Sequence, residues 1–382
     1  MQSLMKKYLL LILCFSIPFS PGFISLPTPA PQPTWGFFAH QRINRLAVFT
    51  LPPEMITFYK NFIVYLTENA VNPDARRYAV KGEAPRHFID VDVYDHQYND
   101  SAAYKMPRRW KDAVAKHTED TLQAYGIVPW HVYVMKNRLT SAFKRRDAAS
   151  ILRLSAEIGH YIADSNVPLH TTENYNGQLT NQKGIHGFWE SRLPELFSDD
   201  YNFFVGKAQY IKNTQKAAWQ AVINAHEALD SVLKFERIVT KKFSADKKYT
   251  IEERNGANIR TYSKQFSAAF HNMLSGQVER RMRASIKMVG DFWYTCWVDG
   301  GQPDLTKFLD KQYLEQENKR LEEERRQWLE KRQNKKIKTR SHEVAFGRKI
   351  IQMPHRGCCH TYTRYYAYLR KKLNDSKKRI KR

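Results

Sequence analysis

The chain has 382 residues, 42% hydrophobic and 26% charged, with 62 Lys+Arg against 38 Asp+Glu for a net charge of +24. That is enough apolar material for one large core. It excludes a wholly disordered chain, a fibrous protein and a polytopic membrane protein. The charge favours anionic partners such as nucleic acid, phospholipid or phosphate esters, but it is concentrated late: residues 301–382 hold 24 basic and 10 acidic residues.

In chain order, Lys6 and Lys7 precede an apolar run over residues 8–17 that Pro18 ends. The run falls short of the about 20 residues a membrane span needs, and the pattern predicts a secretory signal over residues 1–20. The alternative is an apolar terminus on a cytosolic protein. The signal implies a secreted or periplasmic protein. Cys14 lacks the small preceding residue of a lipoprotein site. Six prolines between residues 18 and 33 predict an extended spacer, assigned to 21–34.

From residue 35 to about 300 the pattern is helical. Apolar residues recur at three- and four-residue spacing over 40–49, 55–67, 109–125, 130–144, 148–164, 208–235 and 263–297. Turn signals separate these stretches, among them Leu51-Pro52-Pro53, Asn72-Pro73-Asp74 and Asn255-Gly256. With no run of period-two alternation flanking hairpin chemistry, the expected fold is all-α: a single multi-helix domain over 35–300. A charged helix is expected over 301–340, with ion pairs Glu315/Lys319 and Glu322/Arg326. A basic tail follows over 341–382. The basic, tyrosine-rich stretch 331–382 could hold nucleic acid or anionic membrane electrostatically, or serve no specific role. The four cysteines outline no disulfide framework. The cluster His355, Cys358, Cys359 and His360 is poor geometry for a tetrahedral metal site.

The thirteen histidines become informative where carboxylates accompany them. His160 and Asp164 stand four apart in HYIADSNVPLH, Pro168 bends the chain, and His170 follows. His186 and Glu190 repeat the spacing in HGFWE. A helix places such residues one turn apart on one face, within reach of a common ion. Imidazole and carboxylate without thiolate is a zinc-type ligand set. Asp74 and His87 flank a loop in DARRYAVKGEAPRHFID, and Trp35 and His40 open the domain in WGFFAH. Taken singly, Asp74 also reads as a helix N-cap, Arg77 as a surface salt-bridge partner, and Trp35 as an aromatic anchor.

As an ordered set, W-G-x(3)-H, D-x-x-R, H-F-I-D, H-x(3)-D-x(5)-H and H-x(3)-E resemble the superfamily of zinc-dependent bacterial phospholipases C and fungal and plant single-strand-specific nucleases. The resemblance implies an all-helical fold holding up to three clustered zinc ions. It implies that Asp74, His87, His160 and Asp164 hold the first, and that His170, His186 and Glu190 hold the second. The third falls to Trp35 through main-chain atoms, His40 and a bridging Asp164. It further implies that Arg77 stabilises phosphoryl charge and that Phe88 and Asp90 contact substrate. The expected activity is zinc-dependent phosphodiester hydrolysis, on single-stranded nucleic acid or phospholipid. Two departures stand out: Trp35 follows Gln32-Pro33-Thr34 with no small-x-small cleavage site, and the nucleases' paired cysteines have no counterpart. The competing expectation is a non-catalytic secreted basic protein with a zinc-stabilised core and an anion-binding tail.

Overall fold

The computed structural model describes residues 37–99, 101–254 and 257–308, plus isolated helical positions between 315 and 330. The leader, the spacer, Trp35, the His355–His360 cluster and the basic stretch 331–382 lie outside the described residues. Among the described residues the fold is all-helical, apart from one antiparallel hairpin.

At its centre lies the helix Ala148–Asp164. Asp147 caps it by accepting the Ser150 backbone N–H at 3.0 Å. Every residue from Leu154 to Asp164 is buried, so this helix is enclosed on all sides rather than amphipathic at a surface. It ends where Pro168 disfavours helical backbone at Val167, and a short 3-10 turn, Pro168–Thr171, follows. The helices Phe37–Ala47, Val128–Arg145 and Gln277–Asp299 pack around it, and Thr214–Thr240 lies against Val128–Arg145.

Contact with the first helix is unusually close. A Cβ at Gly159 would sit 1.9 Å from Asn44 Oδ1, so only glycine admits this approach. Asn44 Nδ2 donates to the Ala156 carbonyl at 2.9 Å, joining the two backbones. His40, one turn before Asn44, is thereby laid on His160, one residue after Gly159: the rings stack at 4.0 Å.

Several sequence expectations need amendment. The stretch 263–297 is two helices, Lys264–Leu274 and Gln277–Asp299, broken at Ser275 (φ 48°) and Gly276 (φ 74°). The stretch 109–125 likewise divides at Thr118, whose hydroxyl caps Glu119–Tyr125. Helix 208–235 starts later, at Thr214. The hairpin Tyr249–Arg254/Ala257–Tyr262 was not expected; Tyr249 pairs with Tyr262 and Arg254 with Ala257. Asn-Gly between two six-residue strands is a strong two-residue hairpin signal. Thr, Glu and Arg at alternate positions masked the apolar side of the pattern. The described positions between 315 and 330 are helical and exposed, and Arg326 pairs with Glu323 at 2.8 Å. Among the described residues no helix is long and apolar enough to cross a membrane.

Candidate metal centre

Five histidines and three carboxylates from separate parts of the chain meet around the C-terminal half of the central helix. His160 and Asp164 come from that helix and His40 from the first. Asp74 lies in the first turn of Asn72–Arg77, past the N-cap position considered for it. His87 ends the 3-10 turn Ala84–His87. His170 lies in Pro168–Thr171, and His186 and Glu190 in the segment Ile185–Phe197. That segment widens into a π turn at Phe188–Arg192, where Leu193 N–H reaches the Phe188 carbonyl. Pro194 has no N–H to offer the Glu190 carbonyl, the partner an α-helix would require, so the wider turn forms there.

Three donor groups result. In the first, His160 Nε2 lies 3.0 Å from His87 Nδ1, 3.3 Å from Asp164 Oδ2 and 3.7 Å from Asp74 Oδ1. His87 Nδ1 is 3.0 Å from the same Asp164 oxygen. In the second, His170 Nε2 lies 3.1 Å from His186 Nε2 and 3.3 Å from Glu190 Oε2. His186 Nε2 is 2.6 Å from that oxygen. In the third, His40 Nε2 is 3.4 Å from Asp164 Oδ1 and 3.3 Å from Glu190 Oε1. Asp164 and Glu190 therefore each turn one oxygen to one group and the other to a neighbouring group. The sequence assigned a bridging role to Asp164 alone; Glu190 faces the third group as well.

The back sides of the rings fix the proton positions. His160 Nδ1 donates to the Ala70 carbonyl at 2.9 Å, and His170 Nδ1 donates to the His87 carbonyl at 2.5 Å. Burial lowers the His160 pKa, against the opposing pull of Asp74 and Glu190. A neutral His160 with its proton on Nδ1 turns a bare lone pair on Nε2 toward the group. Burial also holds His87 well below its ordinary pKa, with the Arg77, His160, His170 and His40 charges acting in the same direction. Burial pushes the Asp164 carboxyl up to about 7; Asp74 and Glu190 add to this, while His170 and His40 oppose it. Glu190 is held well below the usual range: burial would raise it, but His170 and hydrogen bonds from His170, His186 and His40 prevail.

Nitrogen lone pairs and carboxylate oxygens converging in a buried space repel one another unless a cation lies among them. The nitrogen–oxygen donor set fits zinc chemistry. Oriented imidazoles and bridging carboxylates are how a protein prepares such a site in advance. The described residues form four overlapping sets that could hold a metal: His40/Asp74/His160, His87/His160/Asp164, His170/His186/Glu190 and His40/Asp164/Glu190. All seven of His40, His87, His160, Asp164, His170, His186 and Glu190 are buried, and Asp74 is the most accessible, at 21%.

The remaining expected site residues occupy mixed positions. Arg77 is 1% exposed, and its charge reaches His87. Phe88 and Asp90 are each 3% exposed, so substrate contact at either requires the surrounding loop to open. That loop is locked on both sides. Ile89 N–H donates to the His170 carbonyl at 2.9 Å and Asp90 N–H to the Tyr125 carbonyl at 2.7 Å.

Sequence reasoning missed the layer behind His87. Glu83, 1% exposed, takes hydrogen bonds from Arg86 Nη1 at 2.6 Å and from Tyr161, and lies 3.9 Å from His87 Nε2. Arg76 joins Glu83, Tyr161 and Glu157 from the other side. Glu157 and Tyr161 share the four-residue helical spacing, a signal hidden among ordinary helical charges.

No known family model matches the sequence, and no curated protein matches it. Among solved structures, the chain is similar to the alpha-toxin of Clostridium perfringens from an avian strain, at a TM-score of 0.41 and 12% identity. The match covers 71% of this chain and 65% of the toxin's own length.

Proposed function

We propose that the protein is a zinc-dependent phosphodiester hydrolase acting on single-stranded nucleic acid or phospholipid. The observation that carries this reading is the convergence of His87, His160, Asp164, His170, His186 and Glu190, whose buried nitrogen and oxygen atoms gather in groups close enough to share an ion. Asp74, His87, His160 and Asp164 would hold one ion, and His170, His186 and Glu190 a second. His40 with Asp164 and Glu190 would hold a third, with Trp35 completing it as the sequence motif implies.

When bound, zinc supplies Lewis acidity that brings the pKa of a water toward neutrality and offsets charge on phosphoryl oxygens. The chain's own residues do the rest. The Ala70 and His87 carbonyls keep the His160 and His170 protons on Nδ1, so Nε2 of each stays available. Arg77, whose charge reaches His87, is the residue we assign to neutralising a phosphoryl oxygen. With every histidine of the centre assigned as a ligand, none is assigned as general base. The apolar run over residues 8–17 fits export of such an enzyme to an oxidising compartment, where a thiolate-free site is durable.

The test is turnover of single-stranded DNA, RNA and phosphatidylcholine by zinc-loaded protein. Hydrolysis of one of the three is expected, and it should vanish together with bound zinc in His160→Ala. Full zinc content and turnover in that variant would refute the assignment.

A further inference from the structure

Away from the metal centre, the helix Val128–Arg145 and the segment before Thr214–Thr240 enclose a cavity of about 640 Å³. That volume falls within the about 300–1,000 Å³ typical of small-molecule sites. One wall is aromatic: Trp110 and Trp130 meet edge to face at 5.5 Å, and Tyr133 is 41% exposed. The rim is basic, and no acidic residue lines the space. Lys136 at this wall is engaged by Asp299 at 2.5 Å, and Arg109 lies 3.8 Å from Asp112. Lys111 and Lys212 are exposed, and neither makes an ion pair among the described residues.

Two buried polar atoms belong to residues of the same lining. Trp130 Nε1 and His131 Nε2 find no hydrogen-bond partner among the described residues, although their side chains are only 3% and 5% exposed. Both atoms are closed to water, so they lie behind the lining rather than on it, and the ligand-facing surface is the ring faces and the lysines. Burial holds His131 well below the ordinary imidazole pKa, with Arg86, Arg138 and Arg76 acting in the same direction. It therefore adds no further cation to the lining. No candidate metal ligand lines the cavity, and Tyr161 stands between the two: it meets His131 edge-on at 4.5 Å and His87 at 5.4 Å.

Flat rings and unpaired ammonium groups in one cavity select a ligand with a planar ring and an anionic group. We propose that this cavity is a binding site for a mononucleotide-like anion, with the ring against Trp110 and Tyr133 and the phosphate at Lys111 and Lys212. Indole and phenol faces accept any base by stacking, while lysines hold phosphate as point charges. The site stands independently of the metal centre and of the hydrolase reading.

The test is equilibrium dialysis of the full chain with AMP, adenosine and inorganic phosphate, in the wild-type sequence and in His160→Ala. Saturable AMP binding is expected, unchanged within twofold in His160→Ala. The exposed double substitution Lys111→Glu/Lys212→Glu should weaken AMP at least tenfold and leave adenosine within twofold. Tyr133→Ala should weaken both at least threefold, and phosphate alone should bind far more weakly than AMP. The proposal is overturned if AMP does not saturate, if its binding disappears in His160→Ala, or if phosphate binds as well as AMP. It is equally overturned if the lysine substitutions leave AMP unaffected, or if they abolish binding of phosphatidylserine vesicles by a protein that takes up no AMP.

Discussion

At the scale of single residues, the centre depends on which nitrogen carries the proton. The Ala70 carbonyl fixes His160 and the His87 carbonyl fixes His170, so the backbone sets which nitrogen of each ring faces the centre. Replacing His170 by Gln removes both the Nε2 lone pair and the Nδ1 hydrogen bond to the His87 carbonyl, and leaves the backbone bond from Ile89 N–H in place. Zinc affinity should fall by at least the about 10–100-fold that loss of an outer-shell partner costs, measured by competition with a chromophoric chelator. Cys296 illustrates the opposite use of burial. It is 0% exposed, and burial pushes its thiol up to about 12, so the reactive thiolate is scarce at neutral pH. Peptide mapping after iodoacetamide treatment at pH 8 should find the Cys296 peptide unmodified in native protein and fully alkylated in guanidinium.

At the scale of elements, two contacts place the residues that could hold a metal. The first is the helix crossing at Gly159, where a methyl group would meet Asn44 Oδ1 at 1.9 Å. Gly159→Ala should cost about 1–3 kcal/mol through overpacking, seen as a lower denaturant midpoint. Because His40 rides on the same helix as Asn44, the variant should also lose bound metal at the third group before the other two. Shortening the opposing side chain in Gly159→Ala/Asn44→Ala should restore part of the stability. The second contact is the hairpin. Tyr262 stacks on Phe188 at 3.9 Å, and Glu252 takes a 3.0 Å hydrogen bond from Arg192 Nη1, so both strands brace the π turn that carries Glu190. Glu252→Gln should weaken zinc at the second group by about tenfold with little change in the first, read by metal titration.

These elements also mark how far the sequence could be read. His160/Asp164 and His186/Glu190 were legible because helical spacing puts them on one face, and the proline after Asp164 forecast the turn that delivers His170. The convergence of Asp74, His87 and His40 came only from motif order, since their meeting depends on the Gly159 crossing and on loop-to-loop hydrogen bonds that local periodicity does not encode. The hairpin escaped because its alternate positions are Thr, Glu and Arg, although Asn255-Gly256 carried the signal. That Glu190 faces two of the groups was invisible because it follows from the π turn Phe188–Arg192 rather than from spacing.

At the scale of the whole molecule, a fold of this kind carries an electrostatic debt at its centre. Asp164 at 1% exposure and Glu190 at 8% are buried among imidazoles whose pKa values burial depresses at His87 and His160. Burying carboxylates without a matching cation is unfavourable by several kcal/mol per ion, so occupancy should couple to stability across the whole helical bundle. Chelation is therefore expected to lower the melting temperature by several degrees, and added zinc should restore it. His160→Ala should melt lower than wild type in zinc and show a smaller response to chelator.

The most direct measurement is the zinc content of the purified protein by mass spectrometric elemental analysis, before and after dialysis against chelator and readdition of metal. More than one zinc per chain, lost with chelator and regained on readdition, is the expected result, and His160→Ala should hold less. A wild-type protein that binds under a tenth of an equivalent, and takes up none at micromolar zinc, would contradict the reading of these buried histidines and carboxylates as a metal centre.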